Sequence, residues 1–313
     1  MPGQVPTLPS PLALVCHDAG ACNLILPWLS QPGLQVQALM QGPALALWQQ
    51  RFGQRPVCDS LEQALHGAAA LLSGTGWASD LEHRARALAL QRGLRSMAVI
   101  DHWVNYPMRF ERAGQVVWPD DFWVTDADAL ALAQQQFPGA HVRCWDNLYL
   151  AEQLRSIPPL AASSSALWSE QNRRVLYVLE PMRSDWGRGV QGEWQALDYF
   201  WTHRAALGID IGIDADTELR LRPHPSDPPG KYRAWLSAHT PARLDDSPDL
   251  ATAIARSAWV VGCESNALVV ALAAGRRVVS SLPPWAPACR LPQSGLIHLR
   301  DCLAVVVKAS ERC

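Results

Sequence analysis

The chain has 313 residues, of which 49% are hydrophobic and 18% charged. That is long enough for about two domains of roughly 150 residues each and far too apolar for a disordered chain. Its 27 basic and 29 acidic residues leave a formal charge of −2, without the basic surplus of a general nucleic-acid or anionic-membrane binder.

In chain order, apolar runs alternate with amphipathic stretches. Leu12–Cys16 reads as a buried strand running into His17-Asp18-Ala19-Gly20. Asn23–Leu29 starts a helix, and Gln35–Met40 is a second strand. Leu61–Ala70 reads as a helix running into Leu71 and Leu72, broken by Ser73-Gly74-Thr75-Gly76. Trp77–Gln91 is strongly helical, with Leu81, Ala85 and Leu88 at spacings of four and three. Strand Ser96–Ile100 ends at Asp101-His102-Trp103, and strands Phe122–Thr125 and His141–Cys144 flank a helix over Ala127–Gln136. The uncharged, Pro- and Ser-rich run Ile157–Ser165 reads as a linker.

Beyond it the alternation restarts. Strands are expected at Val175–Leu179, Glu218–Leu221, Trp259–Val261 and Arg277–Ser281. Helices are expected at Glu193–Ala206, Lys231–Ala238, Ser247–Ala255 and Asn266–Ala274. This pattern predicts an α/β protein of two doubly wound Rossmann-like domains, residues 1–165 and 166–313, facing a central cleft. No run approaches the ~18 apolar residues of a membrane-spanning helix, and Met1–Pro11 lacks the features of a secretion signal. The eight cysteines are scattered without a C-x-x-C pair, which predicts reduced thiols and a cytoplasmic location; peripheral attachment at the inner membrane stays open.

Ligands of doubly wound sheets bind beyond the carboxyl ends of the strands. Those loops hold His17 and Asp18; Ser73 to Gly76; Asp101, His102, Asn105 and Arg109; Glu180 and Arg183; Arg222 and His224; and Glu264, Ser265 and Asn266. In Arg222-Pro223-His224-Pro225-Ser226-Asp227 the prolines stiffen the loop, and an imidazole beside a guanidinium suits a phosphate. In Gly262-Cys263-Glu264-Ser265-Asn266, Gly262 permits a tight turn, while Ser265 or Asn266 can cap the next helix and leave its first amides for an anion. Glu264 can accept from ribose hydroxyls. Asp101 or His102 is a candidate general base, with His17-Asp18 a second, and Arg109 suits the carboxylate of an acidic sugar. The plain alternative for all of these is helix and turn capping. Asp126-Ala-Asp128 reads as a helix start and Asp214-Ala-Asp216 as a polar loop rather than as metal sites. Ser73–Gly76 lacks the lysine of a phosphate-binding P-loop, and no G-x-S-x-G elbow is present.

The R-P-H-P-S loop at 222–226 and the run G-C-E-S-N-A-L-V-V-A-L-A-A-G at 262–275 resemble GT-B fold glycosyltransferases, most of all bacterial transferases of CMP-activated nonulosonic acids. In that group an H-P motif and a Ser-containing motif bind CMP, matched here by His224-Pro225 and Ser265, and an acid of the N-terminal domain is the base. Sialyltransferases often show two adjacent acids before a glycine; this chain has His17-Asp18-Ala19-Gly20, so the base lies between Asp18 and Asp101. The resemblance covers the last 140 or so residues by motif. It implies a metal-independent, cofactor-free transferase that moves a sugar, a nonulosonic acid from CMP, to a glycan or glycoprotein acceptor in bacterial surface-glycan synthesis. The same motifs occur loosely in UDP-N-acetylglucosamine 2-epimerases and CDP-polyol phosphotransferases, and a non-catalytic nucleotide-sugar-binding subunit is a further alternative.

Overall fold

The computed structural model describes residues 4–76, 78–160, 171, 173–182, 184–209, 211 and 217–303. They fall into two compact units, Met1–Ala151 and Glu152–Cys313. Linker residues 161–165 of the sequence reading, and Arg183, Asp214 and Asp216, lie outside the described residues.

The first unit runs β1 (Leu12–Cys16), α1 (Ala19–Ile25), β2 (Val36–Met40), α2 (Gly42–Phe52), α3 (Leu61–Ala64), β3 (Ala70–Ser73), α4 (Leu81–Gln91) and β4 (Ser96–Val99). It continues with a hairpin of β5 (Glu111–Arg112) and β6 (Gln115–Val116), then β7 (Asp121–Val124), α5 (Ala127–Gln136), β8 (His141–Cys144) and α6 (Leu148–Arg155). Its main sheet is parallel, in the order β2-β1-β3-β4-β7-β8. All five residues of β1 are buried: Leu12, Leu14 and Cys16 in one core with Met97 and Val99, Ala13 and Val15 in another with Leu39 and Leu71. Burial on both faces explains why the strand is a continuous apolar run rather than an alternating one.

The second unit runs β9 (Arg174–Val178), α7 (Gly192–His203), β10 (Glu218–Arg222), α8 (Arg233–Ala238), β11 (Arg243–Leu244), α9 (Leu250–Ala255), β12 (Trp259–Gly262), α10 (Asn266–Ala273), β13 (Arg277–Ser280) and β14 (Ile297–His298). Its parallel sheet has the order β11-β10-β9-β12-β13-β14, the 3-2-1-4-5-6 arrangement of dinucleotide-binding folds. Both units are therefore doubly wound and Rossmann-like. In the first the strand order reverses between β1 and β3, in the second between β9 and β12, and such switch points are where ligands of these folds sit. At the second, Gly262 is packed so closely that a Cβ there would come within 2.8 Å of both the Val178 carbonyl oxygen and its side chain.

One expected element changes type. The helix read at Leu61–Ala70 stops after Ala64; Gly67, at φ +65°, turns the chain, and Ala70–Ser73 becomes β3 between β1 and β4. A four-residue buried run has no period by which to tell strand from helix. The helix expected from Trp77 begins at Leu81, and that expected to open around Asn23 begins at Ala19, directly after Asp18. Among the described residues no helix is long and apolar enough to cross a membrane, and the seven cysteines there are free thiols.

Candidate functional site

At the switch point of the first unit, the loop after β1 carries a histidine–carboxylate pair: His17 Nδ1 lies 2.7 Å from Asp18 Oδ1. Asp18 occupies the N-cap position of α1, yet its side chain makes no capping bond to the helix. Asp126, Asp249 and Ser60, at the same position of their helices, all do cap. Both partners are partly exposed, at 20% and 25%. Glycines make room for the pair. A Cβ on Gly76 would lie 2.0 Å from Asp18 Oδ2, and one on Gly42, whose φ is +52°, 2.7 Å from the His17 ring.

The loop after β4 brings Asp101 to the same edge, its carboxylate lodged against Gly20, where a Cβ would sit 1.6 Å from Oδ2. Arg109, read from sequence as a ligand for an acidic sugar, is instead a buried structural partner. Its Nη1 donates to Asp101 Oδ1 at 2.7 Å and to the Thr75 carbonyl and hydroxyl oxygens at 3.3 and 3.2 Å, and its Nε donates to the Val104 carbonyl at 3.0 Å. With a side chain only 4% exposed, Arg109 anchors Asp101 rather than offering itself to ligand. His102 accepts the Trp103 backbone N–H on Nδ1 at 3.0 Å, and its ring meets the Trp103 ring edge-on.

Sequence reasoning missed the residue that ties these loops together. Glu82, buried in the first turn of α4, accepts the His17 N–H at 3.0 Å and the Gly76 N–H at 2.5 Å, so one carboxylate joins the loops after β1 and β3. Burial pushes its carboxyl up, against the lowering pull of the two amides and of Arg86. Arg86, one turn further along, donates to the Gly74 carbonyl at 2.9 Å and the Ser73 hydroxyl at 3.2 Å, and burial brings its guanidinium down to about 10. An acid in a helix's first turn reads as a dipole complement; only its apolar neighbours Leu81 and Ala85 hinted that Glu82 faces inward.

In the second unit, the ends of β9 and β12 meet through Glu180 and Glu264: Glu180 Oε1 accepts the Glu264 N–H at 3.2 Å. Glu264, read as a ribose acceptor, is clasped by Arg290, whose Nε donates to both carboxylate oxygens at 3.1 and 3.2 Å, with Nη2 and the backbone N–H adding further bonds. Ser265 caps α10 through the Ala267 N–H at 3.3 Å, and Asn266 is exposed at the helix tip. Arg222, expected beside the phosphate, is drawn instead to the buried Asp245 at 2.5 Å and to the Ser247 carbonyl at 3.2 Å. His224 is exposed; Nδ1 pairs with Ser226 Oγ at 2.7 Å, and Asp227 accepts the His224 N–H at 2.9 Å. Partial desolvation holds its imidazole below the ordinary value.

The His224 loop is fastened by a network that sequence reasoning also missed. Lys231 Nζ donates to Asp227 and to Glu193 of α7, each at 2.7 Å; Tyr232 donates to Asp227 at 3.0 Å; and Glu193 accepts the Met182 N–H at 2.7 Å. Burial alone would lower the Lys231 ammonium, but its bonds to the two carboxylates outweigh this and hold it above its ordinary value. Lys231 is one of two lysines in a chain whose other cations are arginines, a compositional oddity that could have drawn attention to it.

Burial, then the neighbouring Glu264 charge, pushes the Glu180 carboxyl up to about 7. An acid with a raised folded-state value holds an extra proton in the native state between pH ~4.5 and 7, so the stability it contributes falls as pH rises through that window. Glu180→Gln keeps an acceptor for the Glu264 amide and removes the charge. It is expected to be about 3 kcal/mol more stable than the parent at pH 8 and nearly equal to it at pH 4.5, read from urea denaturation at both values. Among the described residues no group of three or more His, Cys, Asp or Glu is arranged to hold a metal ion. Asp126 serves as the cap of α5 and accepts the Trp103 indole N–H.

No family model and no curated protein matches the chain. Solved structures do. The UDP-GlcNAc 2-epimerase of Methanocaldococcus jannaschii matches with a TM-score of 0.62 at 7% identity, over 95% of this chain and 91% of that one. The UDP-GlcNAc 2-epimerase of Neisseria meningitidis bound to UDP-GlcNAc matches with a TM-score of 0.59 at 10% identity, over 96% and 91%. A glycosyltransferase of kitacinnamycin matches with a TM-score of 0.52 at 15% identity, over 96% and 91%. The fold is of the GT-B type. The GT-B scaffold accounts for the two successive doubly wound sheets.

Proposed function

We propose that this GT-B protein is a metal-independent glycosyltransferase acting on a pyrimidine-nucleotide sugar. The observation that carries the reading is the His17–Asp18 pair at the strand-order reversal of the first unit, with Asp18 turned from its capping position toward the ring. A carboxylate on Nδ1 fixes the tautomer that leaves the Nε2 lone pair as a base. His17 takes the proton of the acceptor hydroxyl, whose oxygen bonds to the anomeric carbon as the bond from that carbon to the nucleotide phosphate breaks. In the second unit, His224 and the amides at the tip of α10 are donors of the kind that hold a nucleotide phosphate. Asp101, held in place by the bond from Arg109, is the alternative base.

The finer reading is a CMP-linked nonulosonic acid as donor, supported by the His224-Pro225 and Ser265 motifs. The likeness to the two UDP-GlcNAc 2-epimerases favours a second reading, epimerisation of a UDP-sugar without an acceptor. A thermal-shift series with CMP, CDP, UDP and GDP tests the first step. A nucleotide at 100 times its Kd adds about 2.7 kcal/mol, roughly 5–10 °C for a unit of this size. The expected result is a shift with CMP that His224→Ala abolishes. A shift with UDP alone, together with the manno epimer formed from UDP-GlcNAc, establishes the epimerase; no shift with any nucleotide overturns both.

A further inference from the structure

The first unit holds a second constellation, on a face of its sheet rather than at the strand-end loops. Met97 of β4, Trp123 of β7, Arg143 of β8 and Trp145 just beyond it lie toward the β8 edge, and with Pro9 and Arg95 they line a cavity of about 320 Å³. That volume is at the small end of the usual range for ligand pockets. No acidic side chain lines it.

Every polar group that these aromatic and basic residues offer is a donor. The indole Nε1 atoms of Trp123 and Trp145 are buried without any hydrogen-bond partner, although Trp123 is only 4% exposed. Buried N–H groups are seldom left unpaired. Their rings are fixed edge-on in a chain with Trp28, at centroid distances of 5.9 and 5.5 Å. The two guanidiniums are positioned by one carboxylate beneath them: buried Asp121 accepts from Arg95 Nε and Nη2 at 3.0 and 2.6 Å, and from Arg143 Nε at 3.4 Å. Two cations share one anion, and the Nη atoms of Arg143 have no protein partner among the described residues. Asp120, nearby, is occupied by the Ser96 amide and hydroxyl.

We propose that this cavity binds a small organic oxyanion, a carboxylate or phosphate on a compact apolar body, with the oxyanion on Arg95 and Arg143 and the body against Trp145 and Met97. Arginine matches both anions through paired N–H bonds. The site is independent of the nucleotide-sugar reading.

Titration calorimetry of the full chain with benzoate and with phenyl phosphate, against sodium chloride at equal ionic strength, tests it. Saturable binding with a Kd below ~1 mM is expected for at least one probe, and the stronger of the two identifies the head group. Arg143→Gln should weaken binding at least tenfold, and Trp145→Ala, which removes the apolar wall, severalfold. Arg143 is half-exposed and Arg95 still pairs with Asp121, so the variant is expected to melt within a few degrees of the parent. CMP and UDP should not displace the probe. Absence of binding, equal affinity in a folded Arg143→Gln protein, or displacement by nucleotide overturns the proposal.

Discussion

Lys231→Met lowers the stability of the second unit by about 3–5 kcal/mol, which at this size is roughly a 10 °C fall in Tm by calorimetry. The substitution keeps the length of the side chain and removes the ammonium shared by Glu193 and Asp227, whose side chains are 3% and 2% exposed. Two buried carboxylates then face each other's charge without their common partner. Burial pushes the Asp227 carboxyl up, but the Lys231 ammonium, the His224 amide and the Tyr232 hydroxyl outweigh it and hold it below its ordinary value. Its share of the stability is therefore complete at neutral pH and is lost as the pH falls below about 4. The deficit of Lys231→Met should shrink in the same direction. Adding Glu193→Gln to Lys231→Met should restore part of the loss, because the second substitution removes one of the stranded charges. A Tm unchanged by Lys231→Met would mean that the network does not hold the His224 loop.

His17→Ala lowers kcat of the transfer reaction by about 10²–10⁴, the contribution of a positioned general base, while the thermal shift produced by nucleotide stays as in the parent. Asp18→Asn should lose much of the same factor. An amide nitrogen facing Nδ1 favours the tautomer with the proton on Nε2, which cannot accept one from a hydroxyl. Parallel kcat and nucleotide thermal-shift measurements separate the effect from a loss of donor binding. If kcat survives His17→Ala, the base is Asp101 instead.

The scaffold was legible because each buried parallel strand is a short apolar run and each run ends at a cluster of polar residues. Leu12–Cys16 before His17-Asp18 and Trp259–Gly262 before Glu264-Ser265 announce themselves in this way. β3 was misread because Ala70–Ser73 directly follows a helix-like stretch and is too short for a period. Within the sites, the side chains on strand-end loops could be picked out, but their pairings could not. Nothing in the spacing of Arg109 and Asp101, of Arg222 and Asp245, or of Glu264 and Arg290 says that each pair is joined, since the partners come from turns or strands brought together only by folding. The buried glutamates Glu82 and Glu193 were invisible for a related reason. Each stands in the first turn of its helix, where an acid is ordinarily explained by exposure and the helix dipole.

The slots occupied by Asp18 and Asp101 bear on how this protein can be engineered. Replacing glycine by alanine near a helix start is a standard route to greater thermostability, since it narrows the conformations open to the unfolded chain. At Gly20 and Gly76 the added methyl would land on a carboxylate oxygen. A thermostabilising library should therefore leave these two positions alone, because the space that looks wasted in the backbone is already filled by the acids of the neighbouring loops.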